Sequence, residues 1–202
     1  MPFKPLFSLD LVYIGQEKEF HRLGRKLRPR GYRLSGFHPM GSPYLSPAAG
    51  EGLPPIRLAC QRADLILMRM NKEEMRHLAY TLDDLRTKAV LDLSALPAFL
   101  GTRISGPAMP VHNGIEILAT IAGCKETVKI YGPTGYETLI DPCFIPSDLI
   151  LAGSSSKAKQ LVELLLRDLR LGEIYDLGDA SMIRHMDGLI SYLQNREATP
   201  EA

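Results

Sequence analysis

The residue that most invites a chemical role is Gly15. It ends the apolar run over residues 9–15 (LDLVYIG), and a helical pattern carrying Phe20, Leu23 and Leu27 follows it. A strand that turns through glycine into a helix presents the unpaired N–H groups of the helix start. These cradle the phosphates of a dinucleotide when the turn reads Gly-x-Gly-x-x-Gly. Here the three glycine positions fall on Gly15, Glu17 and Phe20, with Gln16 between the first two. The second glycine normally lets the backbone approach the pyrophosphate and the third lets the helix pack close to the strand, so Glu17 and Phe20 work against both. Glu17 and Glu19 would also repel a pyrophosphate by about 1 kcal/mol per close contact in solvent-like surroundings, with Lys18 offsetting part of this.

A site of this kind reads the ribose where the second strand ends. The equivalent stretch is Gly36-Phe37-His38-Pro39, in which His38 can contact a phosphate. A single loop histidine is more often simply solvated, and Arg30 and Arg33 equally suit a charged surface. His112 and Asn113 can face a substrate, although a cap for a helix beginning at Gly114 is the expected role of Asn113. Cys143 needs an activating base or helix terminus to be reactive, so an inert thiol is the default. Cys60, Cys124 and Cys143 show no Cys-x-x-Cys spacing, and His21, His77 and His185 lie singly on helical stretches, which predicts neither a disulfide framework nor a metal site.

These residues need a frame. The pattern predicts a strand over 9–15, a helix ending near Arg28 before Pro29, and a second strand from Gly31-Tyr32-Arg33-Leu34. Residues 35–55 hold five prolines and read as a long loop. A short helix over 56–62 precedes the continuous apolar strand 65–68, and Asn71 caps a helix reaching about Arg86 with Met75, Leu78, Leu82 and Leu85 as its stripe. Strands follow at 88–93, 127–131, 148–152 and 174–177. Helices follow at 114–122, after Ser155 or Ser156, and over 180–194. Alternation with short links predicts an α/β fold, a Rossmann-like doubly wound, mostly parallel sheet with helices on both faces. Ligands of such sheets bind at the carboxyl ends of the strands.

Bulk composition narrows the function classes. A chain of 202 residues at 45% hydrophobic content buries a full core as one domain, with 9–194 as its centre. With 24 basic against 23 acidic residues there is no electrostatic footprint for nucleic acid. No run of apolar residues is long enough for membrane insertion, and no signal peptide is recognisable, so a cytoplasmic location is expected. The last helical pattern, with Met182, Ile183, Met186, Leu189, Ile190 and Leu193, carries more apolar surface than a sheet edge needs, and a homodimer is expected through it.

Several stretches carry a family likeness. They are Ala63-Asp64-Leu65-Ile66-Leu67, Val90-Leu91-Asp92-Leu93-Ser94, Glu116-Ile117-Leu118-Ala119 before Val128-Lys129-Ile130-Tyr131, and Ile174-Tyr175-Asp176-Leu177-Gly178. Their order resembles the NADP oxidoreductase family that includes coenzyme F420-dependent NADP reductases and the cytoplasmic domain of STEAP metalloreductases. The resemblance implies NADP or NAD as cofactor and hydride transfer to F420 or a flavin-like acceptor. It also implies that the fifth strand borders the nicotinamide. There Tyr131 keeps the family's aromatic while Gly132 replaces its Asn, and Tyr131 either stacks on a ring or packs as core. After the third strand, Met68-Arg69-Met70-Asn71 puts a bulky cation where the family has a small residue, so that Arg69 either clamps an anion or fills an emptied site.

Two readings follow. One is an NAD(P)-dependent oxidoreductase whose cofactor contacts are Gly15, Gln16, Phe37, His38, Met68, Arg69, Tyr131 and Gly132. The other is a non-catalytic homodimeric module of the same fold that binds no dinucleotide and serves a partner.

Overall fold

The computed structural model describes residues 8–44, 55–82, 84–93, 114–131 and 148–197. The first unit runs β1 (Asp10–Ile14), α1 (Glu17–Leu27), a 3-10 turn (Arg28–Arg30) and β2 (Arg33–Phe37). The second runs α2 (Ile56–Arg62), β3 (Leu65–Met68), α3 (Lys72–Thr81) and β4 (Ala89–Asp92). Then come α4 (Gly114–Ile121), β5 (Glu126–Tyr131), β6 (Leu149–Gly153), α5 (Ser156–Asp168), β7 (Ile174–Asp176) and α6 (Ala180–Glu197).

The strands form one sheet in the order β2-β1-β3-β4-β5-β6-β7. The first five run parallel, β6 runs antiparallel to β5, and β7 follows the direction of β6. This is the Rossmann-like α/β fold that the alternating pattern predicts. Because side chains alternate along a strand, each central strand feeds two cores. Leu11, Tyr13, Leu65, Leu67 and Leu91 pack on one face with residues of α1 and α5. Val12, Ile14, Ile66, Met68 and Val90 pack on the other with α2, α3 and α4.

Helix starts follow local chemistry. The Asn71 side chain accepts from the Glu74 N–H and the Glu74 carboxylate accepts from the Asn71 N–H, both at 2.9 Å, which closes a capping box on α3. Ser155 accepts from the Ala158 N–H at 3.3 Å and caps α5.

Two boundaries differ from the sequence expectation. The loop predicted from Ser35 begins only after Phe37, because Ser35, Gly36 and Phe37 continue β2 in register with Val12, Tyr13 and Ile14. The expected helix to Arg86 ends at Thr81. Asp84 accepts from the Arg86 N–H at 2.9 Å and the Leu85 N–H donates to the Ala122 carbonyl at 3.0 Å, a local turn and a tertiary bond that together displace the last helical turn. Leu85 stays buried in the core by this other route.

Among the described residues, no helix is long and apolar enough to cross a membrane.

Candidate functional site

β1 sends the chain to β2 on one side, and β3 returns on the other, which makes the carboxyl ends of β1 and β3 the switch point where α/β sheets open a crevice. A cleft of about 710 Å³ opens there. Its floor is Gly15 and Gln16, one wall is His38, Pro39 and Tyr44 beyond β2, and the other is Arg69 to Glu74 at the end of β3 and the start of α3.

The glycine that survives from the turn motif has a packing reason to be there. A Cβ on Gly15 would run into the Tyr13 hydroxyl and lie 3.0 Å from the Arg69 carbonyl oxygen. At the third glycine position Phe20 is fully buried. The room a glycine on the helix would have made is supplied from the strand instead, since a Cβ on Gly36 would collide with the Phe20 ring. Tyr44 packs 5.7 Å from that ring, and the Arg28 guanidinium lies 5.5 Å over it.

Residues 38–44 fold back over the turn. The His38 N–H donates to the Ser42 carbonyl at 2.8 Å, the Gly41 N–H donates to the His38 carbonyl at 2.8 Å, and Gly41 takes a φ of 89°, which favours glycine. The Tyr44 N–H donates to the Gly36 carbonyl at 2.8 Å and its hydroxyl donates to the Gly15 carbonyl. Burial, then the charges of Glu17 and Glu74, push the Tyr44 hydroxyl up to about 12, so it stays a donor at neutral pH. His38 Nδ1 accepts from the Met40 N–H at 3.2 Å, which leaves Nε2 as the protonated nitrogen of the neutral ring.

The charges divide unevenly. Glu17 is exposed and pairs with His21 at 3.5 Å, whereas Glu19 is buried. The Glu19 carboxylate accepts from the Tyr13 hydroxyl and forms an ion pair with Arg69. This pair bridges the crevice between α1 and the end of β3. Glu17, Glu73 and Glu74 also line the cleft, with Lys72 as a second cation.

Of the residues singled out from sequence, Gly15, Gln16, His38 and Arg69 meet in this cleft. Phe37 and Met68 are fully buried strand ends beneath it and do not line it. Tyr131 lies apart, and Gly132 is outside the described residues, as are His112, Asn113 and Cys143. The buried Tyr131 hydroxyl donates to Asp187 on α6 at 3.0 Å, and the fully buried Lys129 ammonium donates to both Asp187 oxygens at 2.9 Å. Burial, then the Asp187 charge, raises Tyr131 far above the ordinary tyrosine range. Burial likewise raises Asp187 against the lowering effect of Lys129. Tyr131 therefore fastens α6 to the sheet, as a core aromatic with a polar tip does. Cys60 and Cys124 are buried thiols pushed up to about 12 and about 11 by desolvation. Among the described residues no three metal-ligating side chains converge.

Sequence reasoning did not single out Tyr44 or the pairing of Glu19 with Arg69. Both members of that pair stood out as charges foreign to a phosphate turn, and their opposite sign was the available signal.

No family model and no curated protein matches the chain. Solved structures do. An imine reductase variant from Myxococcus stipitatus in complex with NAD+ superposes with a TM-score of 0.58 at 17% identity, over 95% of this chain and 61% of that one. A proposed F420-dependent NADP reductase from Arthrobacter sp. gives 0.61 at 14% identity, over 94% and 93%. The fold is the one these reductases share. A reductive aminase from Aspergillus terreus in complex with NADPH4, cyclohexanone and allyl amine gives 0.54 at 17% identity, over 95% and 63%. The chain spans 61% and 56% of the length of the two imine reductases it matches.

Proposed function

We propose that the chain is an NAD(P)-dependent oxidoreductase of the F420-dependent NADP reductase type, passing hydride between a nicotinamide and a flavin-like acceptor. The observation that supports this reading is the position of the cleft at the β1/β3 switch point. The adenosine end fits a nucleotide, with His38 and Pro39 beyond β2 facing Met70 and Asn71 beyond β3. The pyrophosphate end, with Glu19 joined to Arg69 and Glu17 at the turn, does not fit in this arrangement. A bound dinucleotide would supply the hydride from its nicotinamide, while Gly15, Gln16, His38 and Arg69 would lie along its adenosine and phosphate portion.

NADPH and NADH titrated to about millimolar, a weak-binding limit of about 4 kcal/mol, test the reading by calorimetry and melting temperature. Heat and a thermal shift are expected, followed by loss of nicotinamide absorbance when F420 or a flavin is added. A titration that gives no heat and no thermal shift would refute it. The Glu19–Arg69 pair favours a second reading, a homodimeric module that binds a partner and no dinucleotide, and that same silent titration is its expected result.

A further inference from the structure

The crevice holds a cation whose charge is spent inside the protein. Arg69 lines the cleft with its side chain about one quarter exposed, 24%, while its partner Glu19 is at 6%. Its backbone is fixed, because the Arg69 N–H donates to the Ile14 carbonyl at 2.8 Å, so any change of partner is a side-chain movement.

Glu19 does not depend on Arg69 alone. The Tyr13 hydroxyl donates to it from below, and it sits in the first turn of α1, where the helix dipole favours a negative charge. Gln16, the N-cap of α1, makes no side-chain cap bond to the first N–H groups of the helix. A phosphate entering here meets those N–H groups and a planar guanidinium suited to bidentate contact.

We propose that Arg69 is the phosphate-binding group of this cleft and that Glu19 is its built-in competitor, an internal carboxylate holding the guanidinium in the place of a nucleotide pyrophosphate. Ligand binding is then an exchange of anions on one cation. The carboxylate keeps its tyrosine donor and the incoming phosphate takes the arginine. This inference rests on the nucleotide reading above and names the residue pair that sets its affinity.

The test is calorimetry of the full chain and of Glu19→Gln and Arg69→Gln with NADPH, inorganic pyrophosphate and adenosine, each protein's melting curve being recorded. Glu19→Gln retains an acceptor for Tyr13 and removes the Glu19 charge from beside the guanidinium. It is expected to bind NADPH and pyrophosphate about tenfold more tightly, the scale of one charge-assisted contact, with adenosine unchanged. Arg69→Gln is expected to bind NADPH no better than adenosine. Where NADPH binds the parent, a folded Glu19→Gln that binds it no better overturns the inference while leaving the nucleotide reading standing. If Glu19→Gln does not fold, Arg69→Gln decides alone, and an undiminished preference for NADPH over adenosine overturns the inference. Pyrophosphate binding that strengthens in Glu19→Gln with no NADPH binding in any protein upholds the anion exchange and refutes the nucleotide reading. Silence of all three ligands in all three proteins refutes both.

Discussion

Asp187→Asn is the most informative perturbation of the fold. Lys129 is fully buried on β5, its ammonium shared between both oxygens of a carboxylate on α6, and Asp92 faces it across the β4–β5 register. The amide keeps the size and one acceptor but removes the carboxylate charge that is hydrogen-bonded to the ammonium. Breaking one partner of a buried pair costs about 3–5 kcal/mol, because the remaining charge stays desolvated. For a domain of this size each 1 kcal/mol lowers the melting temperature by roughly 2–4 °C, so a fall of about 10 °C is expected. Urea unfolding of the parent, Asp187→Asn, Asp187→Leu, Lys129→Met and the double variant Lys129→Met/Asp187→Leu completes a cycle through the leucine variant. The double variant should recover only part of the loss, since apolar residues of similar volume replace the pair while the buried Asp92 carboxylate loses the cation opposite it. Lys129→Met leaves Asp187 without its cation. The folded-state pKa of Asp187 is already raised, so protonation favours the folded protein, and this variant should regain stability as pH falls through the folded value towards the ordinary 3.8. A loss below about 1 kcal/mol in Asp187→Asn would refute the reasoning, because that is the scale of a solvent-exposed pair.

Two further outcomes follow from the packing. Gly36→Ala should cost about 1–3 kcal/mol in urea unfolding, since its Cβ meets the Phe20 ring, and a neutral result would mean that α1 is free to move off β2. Cys60 and Cys124 have folded pKa values of about 12 and about 11 against 9.0 ordinarily, so their contribution to stability is complete below pH 9 and is lost as pH rises through those values. Labelling of these two thiols at about pH 8 should therefore wait for unfolding, and rapid labelling of Cys60 or Cys124 in the native chain would contradict the burial.

The sheet was legible where one strand sufficed to describe itself. The run 65–68 is apolar throughout because both faces of β3 are covered, and Asn71 with Glu74 spells its capping box locally. The end of α3 was not legible, because Leu85 leaves the helix for the Ala122 carbonyl just past the end of α4. Nor was the length of β2, whose Ser-Gly-Phe stretch has poor strand propensity and is held by its register with β1. At the site, Gly15 and His38 were readable from their positions at strand ends. Glu19 was not, since a glutamate in a first helical turn usually lies in solvent, and its partners here are the Tyr13 hydroxyl and an arginine fifty positions later. Tyr131 admitted two roles until Asp187, on the last helix, supplied its partner.

The exchange of bulk between Phe20 and Gly36 also constrains the mutational history open to this chain. Glycine introduced at position 20 in one step would empty the space of a buried ring and cost about 3–5 kcal/mol or more, a large share of the 5–15 kcal/mol that keeps a typical domain folded. A larger residue at position 36 arriving first would collide with the ring already there. Each route to a glycine at position 20 passes through a damaged intermediate, so this turn is entrenched by its own packing, whatever ligand selection favours.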